Sequence, residues 1–227
     1  MMASNMGLAI NVVLMIVIVI GLANIVRMEI PTTVTSAHNS AVDNKVMLFV
    51  MSFCPYGIQA ENAMKPVVDL LGDKVGIVPH FIVNVQGTSV QSLHGPTEAQ
   101  EDMRQACIWK YYDQTTYWDY VSSFNNDCSL SNADTCWKTA ASSASIDTAK
   151  IETCATNEGV TLMLAEQNLT EKYGVSGSPT LIIDGQQSNA DRTSEGYKAA
   201  VCAVITPRPA ECGQTLNSTG AAASGGC

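Results

Sequence analysis

The chain has 227 residues, of which 46% are hydrophobic and 15% are charged, and its formal net charge is −9 at pH 7. A chain of this length and apolar content predicts one domain of ordinary size with attached segments. Only 12 residues are Lys or Arg against 21 Asp or Glu, which argues against nucleic-acid binding, since that depends on cationic contacts to phosphate.

The N-terminal segment is the most apolar part of the chain. Residues 7–26 are apolar except for Asn11 and Asn24, and at helical rise they span about 30 Å, the thickness of a bilayer core. We therefore predict an uncleaved transmembrane helix and an N-terminal membrane anchor over residues 1–27, because no basic residue precedes the apolar run. The alternatives are a cleaved signal peptide, a buried core helix, and a helix that packs against its own copies to form a homo-oligomer.

Eight cysteines are dispersed along the chain, and they bear on both metal binding and location. None of their spacings is typical of a zinc site, and the three histidines are scattered, so no metal is predicted. An even number of dispersed cysteines behind a hydrophobic segment is typical of disulfides in an oxidising compartment. Arg27, just after the apolar run, argues weakly for the opposite orientation. We expect residues 30–227 to lie on the extracytoplasmic side of a membrane.

The first part of the domain alternates between strand and helix patterns. Residues 28–44 are small and polar and are predicted to be a linker. Residues 45–53 are an almost continuous apolar run, which favours a central strand covered on both faces. Apolar residues at helical spacing follow as far as Leu71, and Pro66 is predicted to kink this helix or to end its first half. Residues 74–83 predict a second strand.

The middle of the chain, about residues 97–172, is predicted to be an α-helical insertion. Residues 97–100, Thr-Glu-Ala-Gln, match a capping box, in which the side chains of the first turn satisfy backbone amides. Further helices are predicted at 115–125, 133–145, 147–155 and 157–173.

The chain then returns to strand patterns. Asp184-Gly185 is a hairpin turn signal between two short strands, and a last helix is predicted from Ser194 to Ile205. These elements predict one α/β domain over residues 45–212, followed by a flexible C-terminal tail over residues 213–227.

The sequence Cys-Pro-Tyr-Gly at residues 54–57 stands where the first strand ends and the first helix begins. The positive end of a helix dipole favours a cysteine thiolate, which is the nucleophile in disulfide exchange. Pro55 suits the first helical turn, because its missing N–H would be unpaired there. Tyr56 supplies an amphipathic rim beside the sulfur. The pattern therefore indicates a reactive cysteine at Cys54, with a structural half-cystine or a buried small apolar residue as the alternatives.

Two sequence motifs in this chain resemble those of a known family. FCPYG at residues 53–57, together with VSGSPTLIIDG at residues 175–185, resembles the thioredoxin superfamily, and the helical block between them resembles its DsbA-like branch, which includes the lysosomal thiol reductases. The resemblance covers about residues 45–206. It implies an α/β thioredoxin-like fold with an α-helical insertion, here preceded by an N-terminal transmembrane helix. It also implies a cis peptide facing the cysteine and a set of substrate-binding residues: Pro55, Tyr56, Gly57, Ser178 and Pro179.

The sequence departs from the family at Gly57, where two-cysteine members carry the thiol that releases the substrate. We therefore predict a one-cysteine thiol–disulfide oxidoreductase or isomerase, with Cys54 as its catalytic nucleophile and cysteine-containing exported proteins as substrates. An external thiol or a redox partner protein would complete the cycle, and no organic cofactor is implied. The alternative is a redox-silent binding or structural module that assembles through its N-terminal helix.

Six other cysteines can be paired by position, although other pairings are formally open. One pair closes a short polar loop, one brackets a proline-containing turn, and one would join two predicted helices of the insertion. The predicted disulfides are Cys128–Cys136, Cys202–Cys212 and Cys107–Cys154.

This pairing leaves Cys54 and Cys227. The tail between Cys212 and Cys227 can reach up to about 50 Å when extended. We hypothesise that Cys227 resolves or caps Cys54, in the same chain or in a neighbour. A free tail thiol, or a bond to an unrelated partner, is the alternative.

Two further features are open to more than one interpretation. His94 lies just before a predicted helix and would neighbour and tune the sulfur, or would be an ordinary loop histidine. The aromatic residues between 111 and 120 would line a peptide groove or pack the helical insertion. Ten methionines also allow a copper-transport hypothesis, but methionines in strands usually belong to the core.

Overall fold

The computed structural model describes residues 46–217 and residue 227, and within them six β-strands and six α-helices. The strands are β1 Val46–Val50, β2 Ile77–Phe81, β3 Asn84–Gln86, β4 Ser89–Gln91, β5 Thr180–Ile183 and β6 Gln186–Ser188. The helices are α1 Pro55–Leu71, α2 Pro96–Tyr111, α3 Gln114–Asp127, α4 Ala133–Ser143, α5 Thr148–Lys172 and α6 Ser194–Cys202. Short 3-10 helices lie at Gly72–Lys74 and Ala210–Gly213.

The main sheet has four strands in the order β2-β1-β5-β6. Strand β1 pairs in parallel with β2 and antiparallel with β5, and β5 forms a hairpin with β6. All five residues of β1 are buried, which confirms the predicted central strand covered on both faces. Alternate residues of β1 face opposite layers, so Leu48 joins the large core beneath α1 while Phe49 joins a smaller cluster on the other face.

Helix α1 lies on one face of this sheet and begins directly after Cys54. Its apolar stripe, which includes Ala60, Met64 and Val67, is buried. Of the two effects predicted for Pro66, an end to the helix is wrong, because α1 continues to Leu71. Proline removes one intrahelical hydrogen bond, and burial of the apolar stripe stabilises the helix despite that loss.

The helical insertion consists of α2 to α5, and two predictions about it are wrong. The capping box does not form, because α2 begins at Pro96 and its N-cap, Gly95, has a φ of 91° and no side-chain cap. Helix α5 is one helix of 25 residues instead of two. Gly159, in the middle of α5, lets the helix approach α2, since a Cβ there would lie 2.7 Å from the sulfur of Met103.

The aromatic residues of the insertion belong mainly to its core. Tyr117, Trp118 and Tyr120 are each at most 1% exposed. Their burial supports packing of the insertion as their role. The hairpin of β3 and β4 was not predicted; it turns at Gly87, whose φ of 62° favours glycine.

The predicted transmembrane helix at residues 7–26 lies outside the described residues. Within residues 46–217, no helix combines the length and the hydropathy needed to cross a bilayer.

Candidate active site

Cys54 is the N-cap residue of α1. Its backbone is extended, with φ −68° and ψ 120°, and its N–H donates to the carbonyl of Met51 at 3.0 Å. The Cys54 sulfur accepts a hydrogen bond from the backbone N–H of Gly57 at 3.4 Å. A sulfur in this position lies at the positive end of the helix dipole, which favours a thiolate once the cysteine is reduced.

The cis-proline loop faces this sulfur. The Ser178–Pro179 peptide bond is cis, and the carbonyl oxygen of Ser178 lies 3.5 Å from the Cys54 sulfur. Strand β5 begins at the next residue and pairs with β1, which leads to Cys54, so the sheet itself fixes the distance between loop and sulfur. The structure therefore brings Cys54, Gly57, Ser178 and Pro179 together.

The space around Gly57 is too small for a side chain unless neighbouring atoms shift. A Cβ at this position would lie 2.6 Å from the hydroxyl oxygen of Ser178 and 3.0 Å from the carbonyl oxygen of Met51. The Ser178 hydroxyl is held there because it accepts a hydrogen bond from the N–H of Met51 at 3.0 Å. Ser178 thus occupies the place that the side chain of a second motif cysteine would need.

Cys54 forms a disulfide with Cys227, the last residue of the chain. Their Cα atoms are 5.4 Å apart. Cys54 is completely buried, Cys227 is exposed, and the Cys227 sulfur lies 3.9 Å from the Ser178 carbonyl oxygen. Both sulfurs of the bridge are therefore beside the cis-proline loop.

The other six cysteines form three disulfides, whose Cα atoms are 5.6 to 6.0 Å apart. They are Cys107–Cys154, Cys128–Cys136 and Cys202–Cys212.

Two carboxyl groups from α2 hold the turn that precedes Cys54. The N–H of Phe53 donates to Glu98 at 2.8 Å, while the hydroxyl and the N–H of Ser52 donate to Asp102 at 2.5 and 3.3 Å. Both acidic residues are fully buried. This role of Glu98 was not predicted, because residues 97–100 resemble a capping box; the available signal was the four-residue spacing of Glu98 and Asp102, which places both carboxyls on one face of α2.

His94 reaches the site only through Glu98. Its ring Nδ1 lies 2.8 Å from Glu98, and its backbone N–H donates to the same carboxyl at 2.9 Å. The Ser92 hydroxyl also donates to Glu98, at 2.7 Å. Glu98 therefore joins the loop before α2 to the turn at Phe53, and His94 supports that link.

Burial shifts several acidic groups in this layer toward the protonated form. Burial, and then the nearby charge of Glu98, raises the pKa of Asp102 well above its usual range. Burial raises the pKa of Glu101, on the same helix, to about 7. It also raises the pKa of Glu61 on α1 to about 8, although the hydrogen bond from Asn125 acts in the opposite direction. At a pH between its unfolded and folded pKa, each of these acids keeps a proton that the unfolded chain would release.

No group of three or more His, Cys, Asp or Glu side chains within the described part of the chain is arranged to hold a metal ion.

Comparison with known protein families shows to which family the chain belongs. The model of the vacuolar sorting receptor thioredoxin-like domain matches residues 78–202, which is more than half of the chain, and the chain belongs to this family. The matched segment begins after Cys54. No curated protein sequence matches the chain.

Several solved bacterial structures have similar folds. Oxidised DsbA from Mycobacterium tuberculosis is 12% identical, with a TM-score of 0.54 over 77% of this chain and 90% of that one. The reduced disulfide bond oxidoreductase DsbG from the same organism is 14% identical, with a TM-score of 0.52 over 73% of this chain and 80% of that one. A thioredoxin-like oxidoreductase from Silicibacter pomeroyi DSS-3 is 19% identical, with a TM-score of 0.50 over 69% and 83%. These matches and the family model confirm the predicted thioredoxin-like α/β fold.

Proposed function

We propose that this member of the vacuolar sorting receptor thioredoxin-like domain family is a thiol–disulfide oxidoreductase, in which Cys54 is the nucleophile and Cys227 is the resolving thiol. One observation carries the proposal. The Cys54 sulfur lies at the N-terminus of α1, beside the Ser178 carbonyl, and is already bonded to Cys227. A sulfur that accepts a backbone N–H in this position suits a leaving or attacking thiolate.

The reaction needs two exchanges in the reducing direction. The Cys54 thiolate attacks one sulfur of a substrate disulfide, which forms a mixed disulfide and releases the other substrate sulfur as a thiolate. The Cys227 thiolate then attacks the Cys54 sulfur, which forms the Cys54–Cys227 bridge and releases the second substrate sulfur. The substrate gains two electrons and the enzyme loses two, and the released thiolates take up protons from water.

The same steps in reverse oxidise a substrate dithiol. A substrate thiolate attacks Cys54 in the bridge, Cys227 leaves, and the second substrate thiol displaces Cys54 from the mixed disulfide. An isomerase would use only the first exchange and its reversal. In each direction the Ser178 hydroxyl leaves no room for a cysteine side chain at position 57. The second thiol of the reaction is therefore Cys227, on the C-terminal tail.

We further propose the substrates, the redox partner and the cellular location of the protein. The substrates are cysteine-containing exported proteins, and an external thiol or a redox partner protein restores the active state of the bridge. Residues 1–27 anchor the chain in a membrane, the 28–44 linker follows, and the domain lies on the extracytoplasmic side. No nucleic acid takes part, and association of the N-terminal helices would produce a homo-oligomer.

A redox-silent binding module is the second candidate function. Two observations favour it: the Cys54 side chain is completely buried while bridged, and the family model matches residues 78–202, which do not include Cys54. The family takes its name from sorting receptors, which suggests binding of a protein as the activity of such a module.

Turnover of a model peptide disulfide distinguishes the two. With glutathione as reductant, the wild-type protein should catalyse reduction, Cys54→Ser should be inactive, and Cys227→Ser should be slowed because it waits for the external thiol. Equal rates for all three proteins, no faster than the uncatalysed reaction, would support the binding module.

A further inference from the structure

A cleft opens beside the cis-proline loop. It has a volume of about 240 Å³ and is lined by Pro179, by the β5–β6 hairpin and by the segment that leads into α6. Pro179, which lines the cleft, directly follows the residue whose carbonyl lies 3.5 Å from the Cys54 sulfur, so the cleft is adjacent to the reactive position. Its volume is below the range of typical small-molecule sites and suits a single side chain.

Arg192 supplies the only charge among the described residues that line this cleft. Its guanidinium carbon lies 5.6 Å from the centre of the Tyr56 ring, so the charge is held over the Cys-Pro-Tyr-Gly motif. Arg192 is exposed, and no carboxylate within residues 46–217 forms an ion pair with it. The cation is therefore available to a ligand.

Tyr197 adds a hydrogen-bond donor to the same cleft. The residue is 2% exposed, and its hydroxyl makes no hydrogen bond to another residue in the described part of the chain. Burial raises the pKa of Tyr197 to about 12, so the phenol keeps its proton at physiological pH. A guanidinium and a neutral phenol are both donors, and a carboxylate, which only accepts, is the side chain that matches both.

We propose that this cleft binds an acidic side chain that lies next to the reacting cysteine of the substrate. The guanidinium of Arg192 attracts the negative charge of this side chain, and the hydroxyl of Tyr197 donates a second hydrogen bond to it. The inference rests on the proposed function for its setting, since the substrate cysteine is taken to sit at Cys54. It also runs against the net charge of −9, which repels acidic partners in general, so the preference must come from the cleft itself.

The test measures binding of fluorescent peptides in which the reacting cysteine is replaced by serine, so that affinity does not depend on exchange chemistry. The protein is full-length Cys227→Ser, which leaves the site uncapped. Three peptides with amidated ends differ only at the neighbours of that serine, which are Glu, Gln or Lys. The Glu peptide should bind about fivefold more tightly than the Gln peptide at low salt, at the upper end of what an exposed ion pair contributes, and the difference should shrink in high salt.

Variants assign the preference to Arg192. Arg192→Ala should remove it, Arg192→Glu should reverse it toward the Lys peptide, and Arg192→Lys should keep most of it. Lys150→Ala is the matched control, because it also removes one cation that lies over an aromatic ring, 4.4 Å from the centre of Tyr111, but on α5. It should leave the preference unchanged.

Several results would overturn the inference: equal affinity for the Glu and Gln peptides, a preference that survives Arg192→Glu, or tight binding only of a peptide whose sole carboxylate is its chain terminus. Turnover by the wild-type protein no faster than the uncatalysed reaction, together with a retained Glu preference, would overturn the proposed reaction and leave the cleft assignment standing.

Discussion

The Cys54–Cys227 and Cys107–Cys154 disulfides are the same bond in two different surroundings. Cys107 and Cys154 lie inside α2 and α5, where the backbone N–H groups are already used in helix hydrogen bonds, and both are buried. Cys54 precedes the first turn of α1, where N–H groups are unused, and its sulfur takes one of them. Under the proposed function, position relative to a helix N-terminus, more than burial, separates the attacking Cys54 sulfur from the structural sulfurs of the insertion.

Removal of the insertion disulfide gives the largest expected effect, and it should fall on stability. The double substitution Cys107→Ala and Cys154→Ala should lower the free energy of unfolding by about 2–5 kcal/mol, because the unfolded chain regains freedom and the core loses packing. Denaturant titration measures this. Turnover of a disulfide substrate at low temperature should remain within a factor of two, and a loss as complete as that of Cys54→Ser would remove the distinction between the two bridges.

The raised pKa of buried Glu61 should make the free energy of unfolding depend on pH. Glu61 has an ordinary pKa of 4.5 when unfolded and about 8 when folded. Between those values only the folded state keeps the proton, so the free energy of unfolding should fall as pH rises from about 5 to about 8 and then level off. Glu61→Gln should flatten this slope and stabilise the protein at pH 8 by on the order of 2 kcal/mol, while changing little at pH 5.

Thermal unfolding across this pH range provides the measurement. Glu152→Gln, on the exposed surface of α5, is the control and should keep the slope. A slope that is unchanged in Glu61→Gln would show that Glu61 is ionised in the folded protein.

The space beside Gly57 offers a way to move the resolving thiol. In a Cys227→Ser background, Gly57→Cys alone should restore little turnover, because its Cβ meets the Ser178 hydroxyl. Adding Ser178→Ala clears that contact and should raise turnover about tenfold over the Gly57→Cys protein, which corresponds to about 1.4 kcal/mol. Single-turnover rates of release of the reduced peptide from the pre-reduced protein, without added thiol, measure this, and equal rates with and without Ser178→Ala would show that the hydroxyl does not block the position.

Two buried glutamates on α2 make different contacts, one to the turn before Cys54 and one within the helical insertion. Glu98 binds the turn before Cys54, whereas Glu101 bonds to Tyr120 at 2.7 Å, on the side of α3. Glu98→Gln should speed hydrogen exchange at the Phe53 amide about fivefold, since it loses part of a charged acceptor, and Glu101→Gln should not. Exchange measured by NMR tests this, and identical profiles for both variants would mean that α2 supports the turn only through overall stability.

The parts of the site that could be predicted are local in sequence. The strand that ends at Cys54, the helix that begins at Pro55, and the Gly-Ser-Pro segment before β5 each carry their signal in a few consecutive residues. The order of those signals predicted one α/β domain, the resemblance of residues 53–57 and 175–185 to a known family implied the thioredoxin-like fold, and the family and fold comparisons confirm that fold.

The missed parts depend on contacts between distant residues. Glu98 meets Phe53 across 45 positions, and Ser178 meets Met51 across 127. Neither contact leaves a local pattern, and the apparent capping box at 97–100 competed with the true role of Glu98. The break predicted between residues 155 and 157 was wrong because α5 is continuous there, and Gly159 in its middle packs against Met103 of α2.

A single-turnover experiment tests the central claim most directly. The reduced protein is mixed with a peptide disulfide, quenched with acid at successive times, and analysed by mass spectrometry without reduction. We predict that wild type passes through a Cys54–peptide bridge and ends as Cys54–Cys227, and that Cys227→Ser stops at the mixed disulfide. A Cys227→Ser protein that forms no bond to the peptide, or a wild type whose Cys54–Cys227 bridge never follows peptide reduction, would contradict it.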